Sequence, residues 1–225
     1  MRWLLGLFIL GISTAFCFRE ETSLKIQFMP EFGRENLRLE KNYFLAAVND
    51  SVSIDMLRFY VSDIAFLKNG KKVFTDKNRF HLLDAEKQLG ISVSSVPKEF
   101  DAIQFNVGID STTNSGGVKG GDLDPTKNMY WAWQSGYINF KLEGKSKACK
   151  TRNNVFQFHI GGYSYPNNSL QTVMLPVQRS NSLNVNFDLE KFLSGVGLQT
   201  TNEIMSPGAK AMQVAKLYKT VFEAQ

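Results

Sequence analysis

"SVSIDMLRFYVSDIAFLKNGKKVF", Ser51–Phe74, decides the fold. Its apolar residues follow the two-residue period of an extended chain, whose successive side chains face opposite ways. The stretch reads as a strand, a bend, a second strand, and a turn at Asn69-Gly70. The period recurs on both sides. "SLKIQFMPEF" puts Leu24, Ile26 and Phe28 on one face, and "VPKEFDAIQFNVGID" does the same for Ile103, Phe105 and Val107. "RFHLLDAE", "NMYWAWQSGYINFKLEG", "NVFQFHIGGY" and "QTVMLPVQ" read as further strands, and a long polar loop, Ser111 to Asn128, precedes the tryptophan segment. "NSLNVNFDLEKFL" begins extended and turns helical near Asp188. Many short strands at this spacing predict a sandwich or a barrel.

The C-terminus has a different period. In "SPGAKAMQVAKLYKTVFEAQ", Ser206 is a cap, Pro207 takes the first helical position, and Ala211, Val214, Leu217, Val221 and Phe222 recur at helical spacing. The expectation is a mainly β, single-domain antiparallel β-sandwich or Greek-key barrel over 23–225, with a C-terminal amphipathic α-helix packed on it.

The N-terminus is read apart from the fold. "MRWLLGLFILGISTAFCF" has a basic residue, an apolar run from Trp3 to Ile12, and then small residues. That is the pattern of a secretory signal, assigned to residues 1–17. The run is too short to span a bilayer, which needs roughly 20 apolar residues. Phe16 before Cys17 argues against a lipoprotein signal. The expected location is therefore periplasmic or secreted, and the chain is not membrane-spanning. With Cys17 removed, Cys149 is alone and no internal disulfide forms. In "KSKACKTR" it reads as a solvated loop thiol with its pKa lowered by flanking lysines.

Composition excludes other classes. The chain has 225 residues, 43% hydrophobic and 21% charged, and a net charge of +5 spread without a concentrated basic face. Nucleic-acid binding is not expected. There is no GxSxG, P-loop, HExxH or paired CxxC, so the chain is not read as an enzyme. "GIDSTTNSGGVKGGDLD" does not match the calcium-loop spacing, although Asp110, Asp122 and Asp124 could hold a structural calcium.

What chemistry remains lies in imidazole, thioether and indole. The histidines are His81 and His159, and the chain has seven methionines. Imidazole and thioether suit copper, the sulfur favouring the cuprous state. In "VFQFHIGGY" Phe156, Phe158 and Ile160 share a face and His159 points away from it. Gly161-Gly162 then allows a bulge or the close approach of another chain. In "NMYWAWQ" an unbroken strand puts Met129, Trp131 and Trp133 on one face. A lone strand histidine is more often a hydrogen-bonded filler than a ligand, and paired tryptophans are more often core.

The ordered set "LRFYVSDIAFLKNGK", "HLLDAE", "FDAIQFNVGID", "GDLDPTKNMYWAWQSGYINFKLEG", "FQFHIGGY" and "IMSPGAKAM" resembles the MbnP-like family of exported copper-binding proteins, over about Leu24 to Phe222. The resemblance implies a β-rich fold and a Cu(I) site of two histidines and a tryptophan oxidised to kynurenine. It also implies a diheme partner enzyme of the MauG/MbnH type that performs the oxidation. Trp131 and Trp133 stand in the matching motif, with Trp131 favoured for modification. His159 matches a histidine-bearing strand. The family can place a histidine two residues after the modified tryptophan, and here that position is Trp133. The expected donors are thus His159, Trp131, and Met129 or His81. The alternative is a non-catalytic sandwich whose aromatic surface takes a carbohydrate or protein partner.

Overall fold

The structure, a computed structural model, describes residues 23–133, 136–178, 180 and 182–225. The signal segment and Cys17 lie outside the described residues.

Fourteen strands are used below: β1 Leu24–Phe32, β2 Asp50–Lys68, β3 Lys71–Thr75, β4 Phe80–Asp84, β5 Gly90–Val93, β6 Ala102–Val107 and β7 Tyr130–Trp131. They continue as β8 Gly136–Ser146, β9 Val155–Gly161, β10 Tyr163–Ser164, β11 Asn167–Asn168, β12 Gln171–Pro176, β13 Ser182–Asp188 and β14 Phe222–Ala224. The helices used are α1 Ser111–Ser115, α2 Leu189–Val196, α3 Ala209–Ala215 and α4 Tyr218–Val221.

β2 organises the larger sheet. It is a single strand of 19 residues, not two, and the expected bend is a left-handed residue inside it, Asp63 at φ 49°. Along one edge β2 pairs with β8 through Phe59 and with β6 from Val61 onward; β4 and β3 line the other edge. The path of hydrogen-bonded neighbours is β12–β6–β2–β8–β9, with β8 and β6 following one another along the same edge of β2. The turn from β2 to β3 falls on Asn69-Gly70, both at positive φ, as an Asn-Gly hairpin requires. The smaller sheet runs β14–β13–β1, with β5 on the other edge of β1.

Most pairings are antiparallel, but β1 and β13 run parallel, in register from Lys25↔Ser182 to Glu31↔Asp188. That departs from an all-antiparallel sandwich. The strands come from opposite ends of the chain, so no hairpin dictates their direction.

The main core lies between the sheets. Leu24, Ile26 and Phe28 meet Ile103, Phe105 and Val107 there, as their alternation predicts. Rings hold it together: Phe28 lies 5.5 Å from Phe105 edge-on, and Phe187 stacks on Phe222 at 4.8 Å. Each such pair adds about 0.5–1.5 kcal/mol beyond its burial. Asp188 caps α2 by accepting from the Lys191 N–H at 2.8 Å.

The C-terminal helix needs a correction. It starts at Ala209, not Pro207, after Gly208 and without a side-chain cap, and it stops at Ala215. α4 follows, and Phe222 is already strand, paired with Phe187. An extended Phe222 reaches the ring stack between the sheets. Cys149 also differs from expectation. It is buried, and burial pushes its thiol pKa up rather than down.

Candidate functional site

The larger sheet has a second face, turned away from the main core. Tyr60, Leu82, Ile109, Leu123, Met129, Trp131, Tyr137 and Ile138 form a separate apolar cluster there. Tyr137 stands edge-on to Tyr60 at 6.0 Å and to Tyr130 at 5.0 Å.

The polar loop Ser111–Asn128 is bonded to this face through Asp122. The Asp122 carboxylate accepts from the Leu82 N–H at 3.0 Å and pairs with Lys127 at 2.7 Å, while its carbonyl accepts from the Tyr60 hydroxyl at 3.0 Å. Asp124 accepts from the Thr126 N–H at 2.9 Å, and Asp110 caps α1 through the Thr113 N–H at 2.9 Å and pairs with Arg79 at 3.1 Å. These three carboxylates, the calcium candidates of the sequence, pin the loop by hydrogen bonds and ion pairs. Burial pushes the Tyr60 phenol pKa far up.

The tryptophan segment does not run as one strand. β7 ends at Trp131 and the chain turns at Ala132 and Trp133, so that Tyr130 faces Tyr137 and Trp131 faces Gly136 in a short hairpin with β8. Met129 and Trp131 keep the alternation and are both buried in the cluster. Trp133 leaves it, because a turn does not alternate. It is 68% exposed, yet its ring centroid lies 6.0 Å from that of Trp131, tilted by 50°.

The far edge of the Trp131 six-membered ring sits on Gly161. A Cβ there would lie 2.5 Å from Trp131 Cζ3 and 2.7 Å from the Tyr137 carbonyl oxygen. Gly161 is not at positive φ, so space alone requires the glycine. This is the close approach that the glycine pair predicts.

His159 stands two residues before Gly161 on β9. Phe158 and Ile160, on either side, point into the main core, so His159 points to the face that carries Trp131. Successive same-face residues are about 7 Å apart along a strand. The imidazole is 7% exposed, with Nε2 2.7 Å from Glu143 Oε1. A carboxylate only accepts, so Nε2 donates, and in the neutral ring Nδ1 is the nitrogen with a lone pair. The hydrogen bond from His159, helped by the Lys141 ammonium 3.5 Å away, holds the Glu143 carboxyl below its usual pKa despite partial burial.

His81 does not join this group. It pairs in register with Val61, a main-core residue, whereas its neighbour Leu82 pairs with Tyr60 of the second cluster. His81 therefore points to the opposite face of the sheet, where Nε2 lies 2.9 Å from Asp76 Oδ2. Among the described residues no group of three or more His, Cys, Asp or Glu side chains could hold a metal ion. The fold thus packs Trp131 with Met129, puts His159 on the same face of the sheet one step along β9 from Gly161, keeps Trp133 at the rim, and turns His81 to the other face. Sequence reasoning missed Glu143. Its signal was present only in cross-strand register, which sets Lys141 opposite His159 and Glu143 one same-face step along.

In three dimensions the chain is similar to "MbnP from Methylosinus trichosporium", with a TM-score of 0.64 and 14% identity, over 85% of this chain and 83% of that one. At that identity the likeness speaks for the fold alone. No curated protein sequence matches the chain. The model of the MbnP family matches residues 21–206, most of the chain. On that match, and with the β architecture to go with it, the chain belongs to the MbnP family.

Proposed function

We propose that this protein is an exported, non-catalytic copper-handling member of the MbnP family, binding Cu(I) on the face shared by His159 and Trp131. The observation that carries the reading is the seat of Trp131 on Gly161, one same-face step from His159. The residues present fit a soft cation in part. The His159–Glu143 pair has the form common to metal-ligating histidines, with one ring nitrogen donating to a carboxylate and the other left to bind. Met129 brings a thioether to the same cluster. An indole has no lone pair to offer, but conversion of Trp131 to kynurenine adds an aromatic amine and a ketone. The opposite facing of His81 leaves one imidazole, so the site in this chain rests on His159, Met129 and modified Trp131. A diheme enzyme of the MauG/MbnH type is the proposed oxidant. Among the described residues no helix is long and apolar enough to cross a membrane.

The test is intact mass and metal analysis of the exported protein, produced with a diheme partner. Trp131 is expected to gain an oxygen and lose a carbon, and Cu(I) to bind at one equivalent and be lost in His159→Ala. No copper above background in the modified protein sinks the reading.

A second reading rests on its own observation. Trp133 is 68% exposed, and Tyr165 is 98% exposed in the turn between β10 and β11. Tyr163 of β10 packs its ring against Gly136 of β8, so these two hairpins adjoin. Exposed rings suit a carbohydrate or protein partner. Quenching of Trp133 fluorescence by soluble oligosaccharides, with copper uptake absent, favours this reading over the first.

A further inference from the structure

The one exposed tryptophan among the described residues touches the buried one. Trp133 at the hairpin turn and Trp131 beneath it have ring centroids 6.0 Å apart, while exposure falls from 68% to 7% between them. Core packing explains a buried indole. It does not explain a second indole held against it at the rim. Indoles are among the most easily oxidised side chains, and electron transfer between rings in contact is fast because its rate falls steeply with separation.

We propose that Trp133 is an electron port for Trp131: a one-electron oxidant too large to enter the fold takes an electron from Trp133, which refills from Trp131. The inference deepens the proposed role of Trp131 and rests on it for purpose, while the transfer itself needs neither copper nor a particular enzyme. The oxidant is a high-potential metal centre at the surface of a partner or a metal complex.

The oxidant is reduced by one electron and leaves a Trp133 radical cation. That cation takes an electron from Trp131, restoring Trp133. Water stabilises a cation at the rim better than in the cluster, so the inward hop is trapped only when Trp131 gives up its indole N–H proton to water. The six-membered ring is the end that sits on Gly161, which leaves the N–H edge at the other end of the indole. A second electron leaves by the same route. Water then adds to the ring, for a net change of one indole plus one water to hydroxyindole, two protons and two reduced oxidants.

The two phenols buried in the cluster, Tyr60 and Tyr137, do not compete for the hole. Oxidation of a phenol requires a base for its proton. The Tyr60 hydroxyl donates to the Asp122 backbone carbonyl, a poor base, and the Tyr137 hydroxyl accepts from the Lys119 N–H. Among the buried rings of the cluster the charge deficit therefore rests on Trp131.

The experiment uses flash-generated tris(bipyridine)ruthenium(III), a bulky surface oxidant, with the full chain and without copper or a partner enzyme. Peptide mapping locates the added oxygen. In the wild-type protein the product is expected on Trp131. In Trp133→Phe, whose fold is checked by circular dichroism, the Trp131 product is lost. In Trp131→Phe the product stays on Trp133. An undiminished Trp131 product in Trp133→Phe overturns the proposal, and so does a wild-type product confined to Trp133. Failure of copper uptake leaves these outcomes unchanged, so the two readings fail separately.

Discussion

Gly161→Ala is the sharpest perturbation of the site. The new Cβ would stand 2.5 Å from Trp131 Cζ3, 3.0 Å from Trp131 Cη2 and 2.7 Å from the Tyr137 carbonyl oxygen. Carbon atoms rest at about 3.5–4.0 Å, so the indole must retreat by about 1 Å. The carbonyl belongs to β8, whose pairing with β9 shifts register just here, between Ile138 and Phe140, and it has little freedom to follow. Overpacking of this kind costs about 1–3 kcal/mol. The loss of glycine's freedom in the unfolded chain returns only about 0.4–1 kcal/mol. A net destabilisation of about 1–2 kcal/mol lowers the melting temperature by roughly 2–8 °C in a domain of this size. Thermal unfolding followed by circular dichroism reads the loss. Trp131 emission should shift as the ring moves toward water. In a Trp131→Ala background the alanine should cost less, because only the carbonyl clash remains. Equal stability of Gly161→Ala and wild type, with unchanged emission, would refute the argument that Gly161 exists to seat the indole.

The Tyr218 hydroxyl is wholly buried without a partner, its ring stacked on Phe192 and tilted against Phe140, so Tyr218→Phe should be neutral or stabilising by about 1 kcal/mol; a clear loss of melting temperature contradicts this. The Glu143 pKa is lowered in the fold. Its ionised form therefore contributes stability above the unfolded value of about 4.3, and that contribution is lost as pH falls through the folded value. Glu143→Gln should flatten the stability profile below about pH 4.3, and a parallel acid slope in both proteins removes the pair from the account.

The fold was legible wherever one face alone is buried. Leu24–Phe28 and Ile103–Val107 show their period because every second residue meets the core. β2 was harder. Its middle is buried on both faces, by Phe59 and Val61 toward the main core and Tyr60 toward the second cluster, so alternation gives way to a continuous apolar run. The direction of β1 against β13 was invisible, since pairing between distant segments leaves no local mark. At the site, the seat of Trp131 was written in Gly161-Gly162. The turn at Ala132–Trp133 was not, because Trp-Ala-Trp has strand propensity and no turn residue. The separation of His81 from His159 depends on register across β4, β2, β8 and β9, and a single sequence carries no register.

The parallel β1–β13 ladder bears on how the molecule is assembled. A polypeptide delivered N-terminus first presents Leu24–Phe32 at the start, while the strand that flanks it arrives near the finish. The smaller sheet cannot close until Ser182–Asp188 has been made, and no early local hairpin can substitute for that edge. Closure of that ladder thus waits for Ser182–Asp188, while the larger sheet can pair before it.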